Sequence, residues 1–192
     1  MKSKKTTMIA ATAGLLAGMG GWAIAAVDKY TVSVPGGLAM SEFRGYEGWQ
    51  AVAPTYTDAQ NIMRLIVANP VMISAYKQGV PGNGKPFPEG SKIAKIEWRP
   101  RKITDHAPFS AAVPDTVPGE LFAVEFIEKE GKRFADTHGW GYGTFEYQAA
   151  SGTFTPATLA SKPPQGHDAR CGAACHQLAA SKDYIFTDYA KR

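Results

Sequence analysis

The sequence predicts an α+β fold, with helices in the first half of the chain, a largely β middle and a short helical segment near the C-terminus. Three observations predict it. Apolar residues recur at helical spacing between residues 41 and 79. Three later runs, Lys92 to Trp98, Leu121 to Glu128 and Trp140 to Tyr147, carry β-type patterning. Prolines at 100, 108, 114 and 118 argue against an all-helical bundle, because a proline inside a helix costs about 3 kcal/mol.

In chain order, Ser41 to Ala53 places Phe43, Tyr46, Trp49 and Val52 at helical spacing, and Asp58 to Ala68 places Ile62, Leu65 and Ile66 on one helical face. Asn69-Pro70 reads as an N-cap followed by proline at the first helical position. That helix continues through Val71, Met72, Ala75 and Tyr76 and stops at Gly79. A Gly/Pro loop follows to Gly90. In the first strand Ala94, Ile96 and Trp98 share one side, with Ile93, Lys95 and Glu97 on the other. The second strand has Phe122, Val124 and Phe126 on one face, and the third is rich in aromatics and glycine. A polar, proline-containing loop from Ala149 to Arg170 leads to the last feature.

That feature is Cys171-Gly172-Ala173-Ala174-Cys175-His176, which contains the only two cysteines of the chain. Two thiols can add across the vinyl groups of haem, and the following histidine can ligate the iron; the usual spacing is C-x-x-C-H. Here the spacing is C-x-x-x-C-H. The step from Cys175 to His176 is unchanged, and on a helix Cys171 still shares a face with Cys175. The three small intervening residues let a flat macrocycle approach the backbone. The motif therefore makes Cys171 and Cys175 candidate thioether positions for one covalent haem c and His176 the candidate axial ligand. Two other readings stay open here: a single Cys171–Cys175 disulfide, and a zinc or copper site using both thiolates, His176 and His167.

The N-terminus reads as an export signal. Lys2, Lys4 and Lys5 precede an apolar run from Met8 to Ala25, which ends in Ala23-Ile24-Ala25. The alternative is an uncleaved anchor, against which the glycines of the run and the A-x-A site argue. Residues 1–25 are thus expected to be a signal peptide, the mature protein to be periplasmic, and residues 26–192 to be one domain. Of the 21 basic residues three lie in the signal, which leaves 18 against 17 acidic ones. So even a balance gives no argument for nucleic acid or a membrane surface as partner.

Several stretches together resemble the cytochrome P-460 family, which includes the cytochromes c-prime-beta. They are Phe43-Arg44-Gly45-Tyr46-Glu47-Gly48-Trp49, Gly84-Lys85-Pro86-Phe87-Pro88-Glu89-Gly90, Ala94-Lys95-Ile96-Glu97-Trp98, Gly139-Trp140-Gly141-Tyr142-Gly143-Thr144-Phe145, and Lys182-Asp183-Tyr184-Ile185-Phe186-Thr187 after the haem motif. The family's usual motif has two intervening residues, where this chain has three. The resemblance implies a mostly antiparallel β-sheet with N-terminal helices, a short C-terminal haem-bearing helix, a homodimer, and a haem iron with one protein ligand and an open distal face. It also implies one of two activities. In one, a lysine bonded to the haem edge accompanies oxidation of hydroxylamine to nitrous oxide and nitric oxide products, with electrons passed to a periplasmic acceptor such as another cytochrome. In the other, an apolar pocket without that bond binds nitric oxide or carbon monoxide. Lys95 matches the family's strand lysine and is the candidate cross-link and catalytic residue, with Lys92 and Lys85 as alternatives. The enzymatic reading is narrowly preferred.

A third class is a low-spin electron-transfer cytochrome, for which Met40, Met63 or Met72 would be the second ligand. His106, His138 and His167 fall in or beside loops, where solvation is their ordinary role. Phe87, Phe122, Phe126 and Phe145 are candidates for a pocket wall, and Arg44 and Glu146 for polar contacts to a bound ligand.

Overall fold

A computed structural model describes residues 28–103 and 115–192. The signal peptide expected over residues 1–25 lies outside them, as do His106, Pro108 and Pro114. Six strands form one antiparallel sheet in simple sequence order: β1 (Gln50–Thr57), β2 (Ile62–Ala68), β3 (Lys92–Lys102), β4 (Thr116–Lys129), β5 (Trp140–Gln148) and β6 (Thr153–Pro156). Helix α1 (Pro70–Lys77) joins β2 to β3, and α2 (Arg170–His176) follows β6. The fold is α+β and mostly sheet. Among the described residues no helix is long and apolar enough to cross a membrane.

The register sorts side chains onto two faces. Pairing of Val67, Ala94, Phe126 and Gly143 across β2–β5 puts these residues on the first face, with Leu65, Ile96, Val124 and Phe145 in the next row. The N-terminal segment covers this face with Leu38, Met40 and Phe43, all fully buried. Phe43 stacks on Phe126 with ring centroids 4.2 Å apart. Gly141 also lies here, and an added Cβ would come within 2.3 Å of the Phe134 ring, so this strand needs glycine for that ring to seat. The second face carries Arg64, Ile66, Ile93, Lys95, Glu97, Glu125, Ile127, Tyr142 and Trp140. At one end of it Phe87 packs edge-on against both Trp140 and Tyr76 of α1.

Helix α1 forms as the sequence indicates. The Asn69 side chain accepts a hydrogen bond from the Met72 amide at 3.1 Å, and Pro70 takes the first helical position. The same Asn69 oxygen accepts from the Lys92 amide at 3.1 Å, so the cap also pins the start of β3.

Two expected α-helices do not form. Residues 58–68 contain only a short 3-10 turn (Asp58–Gln60) and then β2; residues 41–53 contain 3-10 turns at Met40–Phe43 and Tyr46–Gly48 and the start of β1. Gly45, with φ +84°, separates those turns. The cause of the error is burial on both faces. Ile66 and Val67 point to opposite sides of the sheet and both are buried, so β2 lacks alternation and its apolar residues fall by chance at helical intervals. Strands β3, β4 and β5 lie where expected, with β3 and β4 longer, and β6 adds an unanticipated edge.

The N-terminal segment is clamped by Arg133. Its Nη1 donates to Glu42 Oε2 at 2.7 Å and its Nη2 to the Gly37 carbonyl at 2.5 Å, while Glu42 Oε1 accepts from the Ala39 amide at 2.9 Å. Burial alone would raise the Glu42 carboxyl, but Arg133 and the Ala39 amide outweigh it and hold it below its ordinary value. A lowered folded-state value contributes stability that is present above the ordinary carboxylate range and is lost as pH falls through the lowered value. Arg133→Ala is expected to cost about 1–2 kcal/mol at neutral pH, the lower end for a charged hydrogen bond because the pair is partly exposed. Urea titrations should show the gap to wild type narrowing below about pH 4.

Candidate haem site

Helix α2 starts where the Asp168 carboxylate accepts from the Arg170 amide at 2.9 Å. It lies directly on β5. A Cβ added at Gly172 would sit 2.3 Å from Tyr142 Cβ and 2.4 Å from its Cγ, so only glycine permits this approach. Cys171 is half-buried, Cys175 is exposed, and both thiols are free.

His176 ends α2, with its ring between Tyr142 (centroids 4.7 Å apart) and Phe186 (4.8 Å). Its Nδ1 lies 2.6 Å from the Tyr184 carbonyl oxygen. A carbonyl only accepts, so Nδ1 carries the proton and Nε2 keeps a free lone pair. Burial pushes the imidazole pKa down, which favours the neutral ring a metal ligand requires.

Two cavities meet at this ring. The larger, about 490 Å³, is walled by β1, β2, β3 and β4 residues including Thr55, Arg64, Ile66, Ile93, Lys95 and Glu125, and by the tail from Ile185 to Asp188. The smaller, about 170 Å³, includes Tyr142, Pro163, Gln165, Cys171 and Cys175. Lys95, Glu125, Ile127, His176 and Phe186 line both. The combined cleft runs from the motif cysteines to the second face of the sheet, within the size range of cofactor sites.

A line of charge crosses the floor. Arg64 Nε donates to Glu97 Oε1 at 2.5 Å, Lys95 Nζ lies 3.6 Å from the same oxygen, and Lys95 also pairs with Glu125. The Glu97 side chain is 1% exposed. Burial pushes the Glu125 carboxyl up, opposed by Lys95. Three buried polar atoms on this face lack a hydrogen-bond partner: Glu125 Oε1, Glu97 Oε2 and the Tyr142 hydroxyl. Burial also raises the Tyr142 phenol, so it stays a neutral donor. Of these residues Glu125 and Tyr142 line the cleft, and orphaned polar atoms there are groups that a bound partner can satisfy.

The family follows from most of this chain. The Cytochrome P460 family model matches residues 43–187, which include every strand and both α-helices among the described residues. The chain belongs to the cytochrome P460 family. It is therefore a haem-binding, P-460 type cytochrome. No curated protein gives a significant match. The residues fit the group this family holds: a cleft lined by both motif cysteines, a neutral imidazole with Nε2 free, a glycine where α2 meets the sheet, and unsatisfied polar atoms on the floor.

Other residues named from the sequence fall elsewhere. Lys92 points to the first face, where Nζ pairs with Glu128 at 2.9 Å and donates to the Glu42 carbonyl. Lys85 is on an exposed loop. His138 stacks on Tyr184 at 4.4 Å, and His167 lies in a separate cleft with Arg133 and Asp168. Met40 and Met72 are fully buried core residues, and Met63 borders a different hollow with Tyr56 and Pro100. Arg44 reaches Asp28 and covers Tyr30. Glu146, beside Ala123 and Thr155 on β5, lines neither cavity. Of the phenylalanines, Phe87 and Phe145 are in the core, and Phe122 lies under Arg99. Phe126 contributes to the smaller cavity's wall, although its ring stacks on Phe43. The sequence reading missed Phe186, Arg64, Glu97 and Glu125. A signal existed for Glu97 and Glu125: Glu97 shares the Lys95 face at i+2, and Glu125 interrupts the apolar run Val124 to Ile127.

Proposed function

We propose that this is a periplasmic mono-haem cytochrome that oxidises hydroxylamine. In this reading Cys171 and Cys175 hold the haem by thioethers, His176 Nε2 ligates the iron, and Lys95 Nζ bonds to the haem edge. One observation carries it: Lys95 lines both cavities with His176 and pairs with Glu125, instead of extending into solvent as a strand lysine ordinarily does. The mature chain is residues 26–192, a single domain working as a homodimer.

Haem held by Cys171, Cys175 and His176 would supply a redox-active iron centre for the oxidation. The remaining tasks belong to the protein. Tyr184 O fixes the plane and tautomer of His176. Phe186 and the Ile66, Ile93, Ile127 and Ile185 wall limit water. To bond to carbon, Lys95 Nζ must lose a proton, and the Glu125 carboxylate in contact is the acceptor. Joining nitrogen to a ring carbon removes two hydrogens overall, so it needs a two-electron oxidant of the peroxide class. Turnover of two hydroxylamines to nitrous oxide and water releases four protons and four electrons. Glu125 Oε1, buried and unpartnered, is placed to hold a proton in passing, and the electrons require a periplasmic acceptor such as another cytochrome.

The second reading, a nitric oxide or carbon monoxide binder without turnover, is favoured by the isoleucine wall of the larger cavity. The test is peptide mapping of the haem-bearing digest, together with hydroxylamine turnover using an artificial acceptor. The enzyme reading predicts a Lys95 peptide joined to haem, a red-shifted ferrous Soret band, and loss of both band and turnover in Lys95→Ala. A free Lys95 peptide, with a Lys95→Ala spectrum equal to wild type, selects the gas-binding reading.

A further inference from the structure

We infer that Asp183 is a positioning residue that sets the electron donation of His176 by holding the Tyr184 carbonyl against it; this rests on the reading of His176 as iron ligand. Asp183 and Tyr184 are consecutive non-glycine residues in the left-handed region, with φ +49° and +65°. Such backbone persists only where its surroundings over-determine it. Asp183 supplies the determination. Its Oδ1 accepts from Lys129 Nζ at 3.0 Å and from Trp140 Nε1 at 3.3 Å, and its Oδ2 accepts from the Phe87 amide at 2.8 Å. Its side chain is 12% exposed and that of Lys129 11%. One carboxylate thus ties together β4, β5, the loop before β3 and the turn after α2.

The turn's geometry delivers one group to the haem site. The Tyr184 amide donates to the Ala179 carbonyl at 2.9 Å, the Tyr184 ring stacks on His138, and the Tyr184 carbonyl accepts from His176 Nδ1 at 2.6 Å. A strong acceptor on Nδ1–H gives the imidazole imidazolate character and makes Nε2 a better donor to a metal. Loosening the carboxylate clamp lets the strained turn relax, lengthens that hydrogen bond and weakens the donor.

The test uses the haem-loaded protein. Resonance Raman of the ferrous form reads the iron–histidine stretch, and a redox titration reads the midpoint potential. Relative to wild type, Asp183→Asn keeps an acceptor but loses the charge, and is expected to lower the stretch and raise the potential; Asp183→Ala should do both to a greater extent. Trp140→Phe and Lys129→Met each remove one donor to Asp183 and should give smaller shifts of the same sign, which keeps the inference testable where Asp183→Ala does not assemble. An iron–histidine band and potential unchanged across these variants overturn the inference while leaving His176 as ligand. A wild-type ferrous protein that is five-coordinate and high-spin yet shows no iron–histidine band overturns the ligation and the inference with it, and a six-coordinate low-spin wild type overturns the open-site reading on which the inference's readout rests.

Discussion

Replacing Gly172 by alanine should largely prevent the haem site from forming. The new Cβ would stand 2.3 Å from Tyr142 Cβ, and that atom is fixed to the backbone of β5, so no rotamer change relieves the clash. Helix α2 must lift from β5, carrying Cys171, Cys175 and His176 out of register with Lys95. Overpacking of this kind costs roughly 1–3 kcal/mol and sometimes more. For a domain of this size that is a fall in Tm of about 2–12 °C. Haem incorporation should fall further, because it depends on the position of α2 and not only on global stability. Comparing haem-to-protein absorbance and Tm for Gly172→Ala, Tyr142→Gly and the double variant checks the cause. The double variant should recover part of the incorporation lost in Gly172→Ala, since the contact is Cβ against Cβ.

A comparably large effect is expected at Arg64. Its guanidinium bonds Glu97, Thr57 and Gln60 at 2.5–2.6 Å. Arg64→Met leaves the Glu97 carboxylate buried, with only Lys95 near it. Breaking a buried pair by removing one partner costs about 3–5 kcal/mol. The Lys95 ammonium should then be drawn toward Glu97 and away from Glu125. Two separable outcomes follow: a Tm lower by roughly 10 °C, and a smaller fraction of Lys95 joined to haem. Arg64→Met with Glu97→Gln, which removes the orphaned charge, should recover most of the Tm. Thermal melts of the single and double variants measure that coupling directly; additive losses would mean that the pair contributes nothing beyond its separate side chains.

The parts of this molecule legible in the sequence were those written in local chemistry. Asn69-Pro70 caps α1 through contacts within four residues, and β3 and β5 advertise themselves by β-branched and aromatic residues. Lys95 stood on a readable strand. What failed was everything that depends on which surfaces meet. Strand β2 imitates a helix because it is covered on both faces. Phe186 is 51% exposed and nothing in its neighbourhood announces that it flanks His176. Arg64 belongs to the misread strand, so its place beside Glu97 was invisible until β2 was paired with β3. The same holds for Lys92, which is near Lys95 in sequence but faces the other side of the sheet.

The central claim is that the haem is covalently held by Cys171 and Cys175 in an exported chain. It is tested most directly by intact mass spectrometry of protein from the native periplasm, after denaturation and acid–acetone extraction. The account predicts one species, a chain beginning at Ala26 or Val27 plus one haem, with haem-bearing adducts at both cysteines on digestion. A haem-free chain with the extracted pigment in the organic phase, or a pair of intact thiols at Cys171 and Cys175, would contradict it.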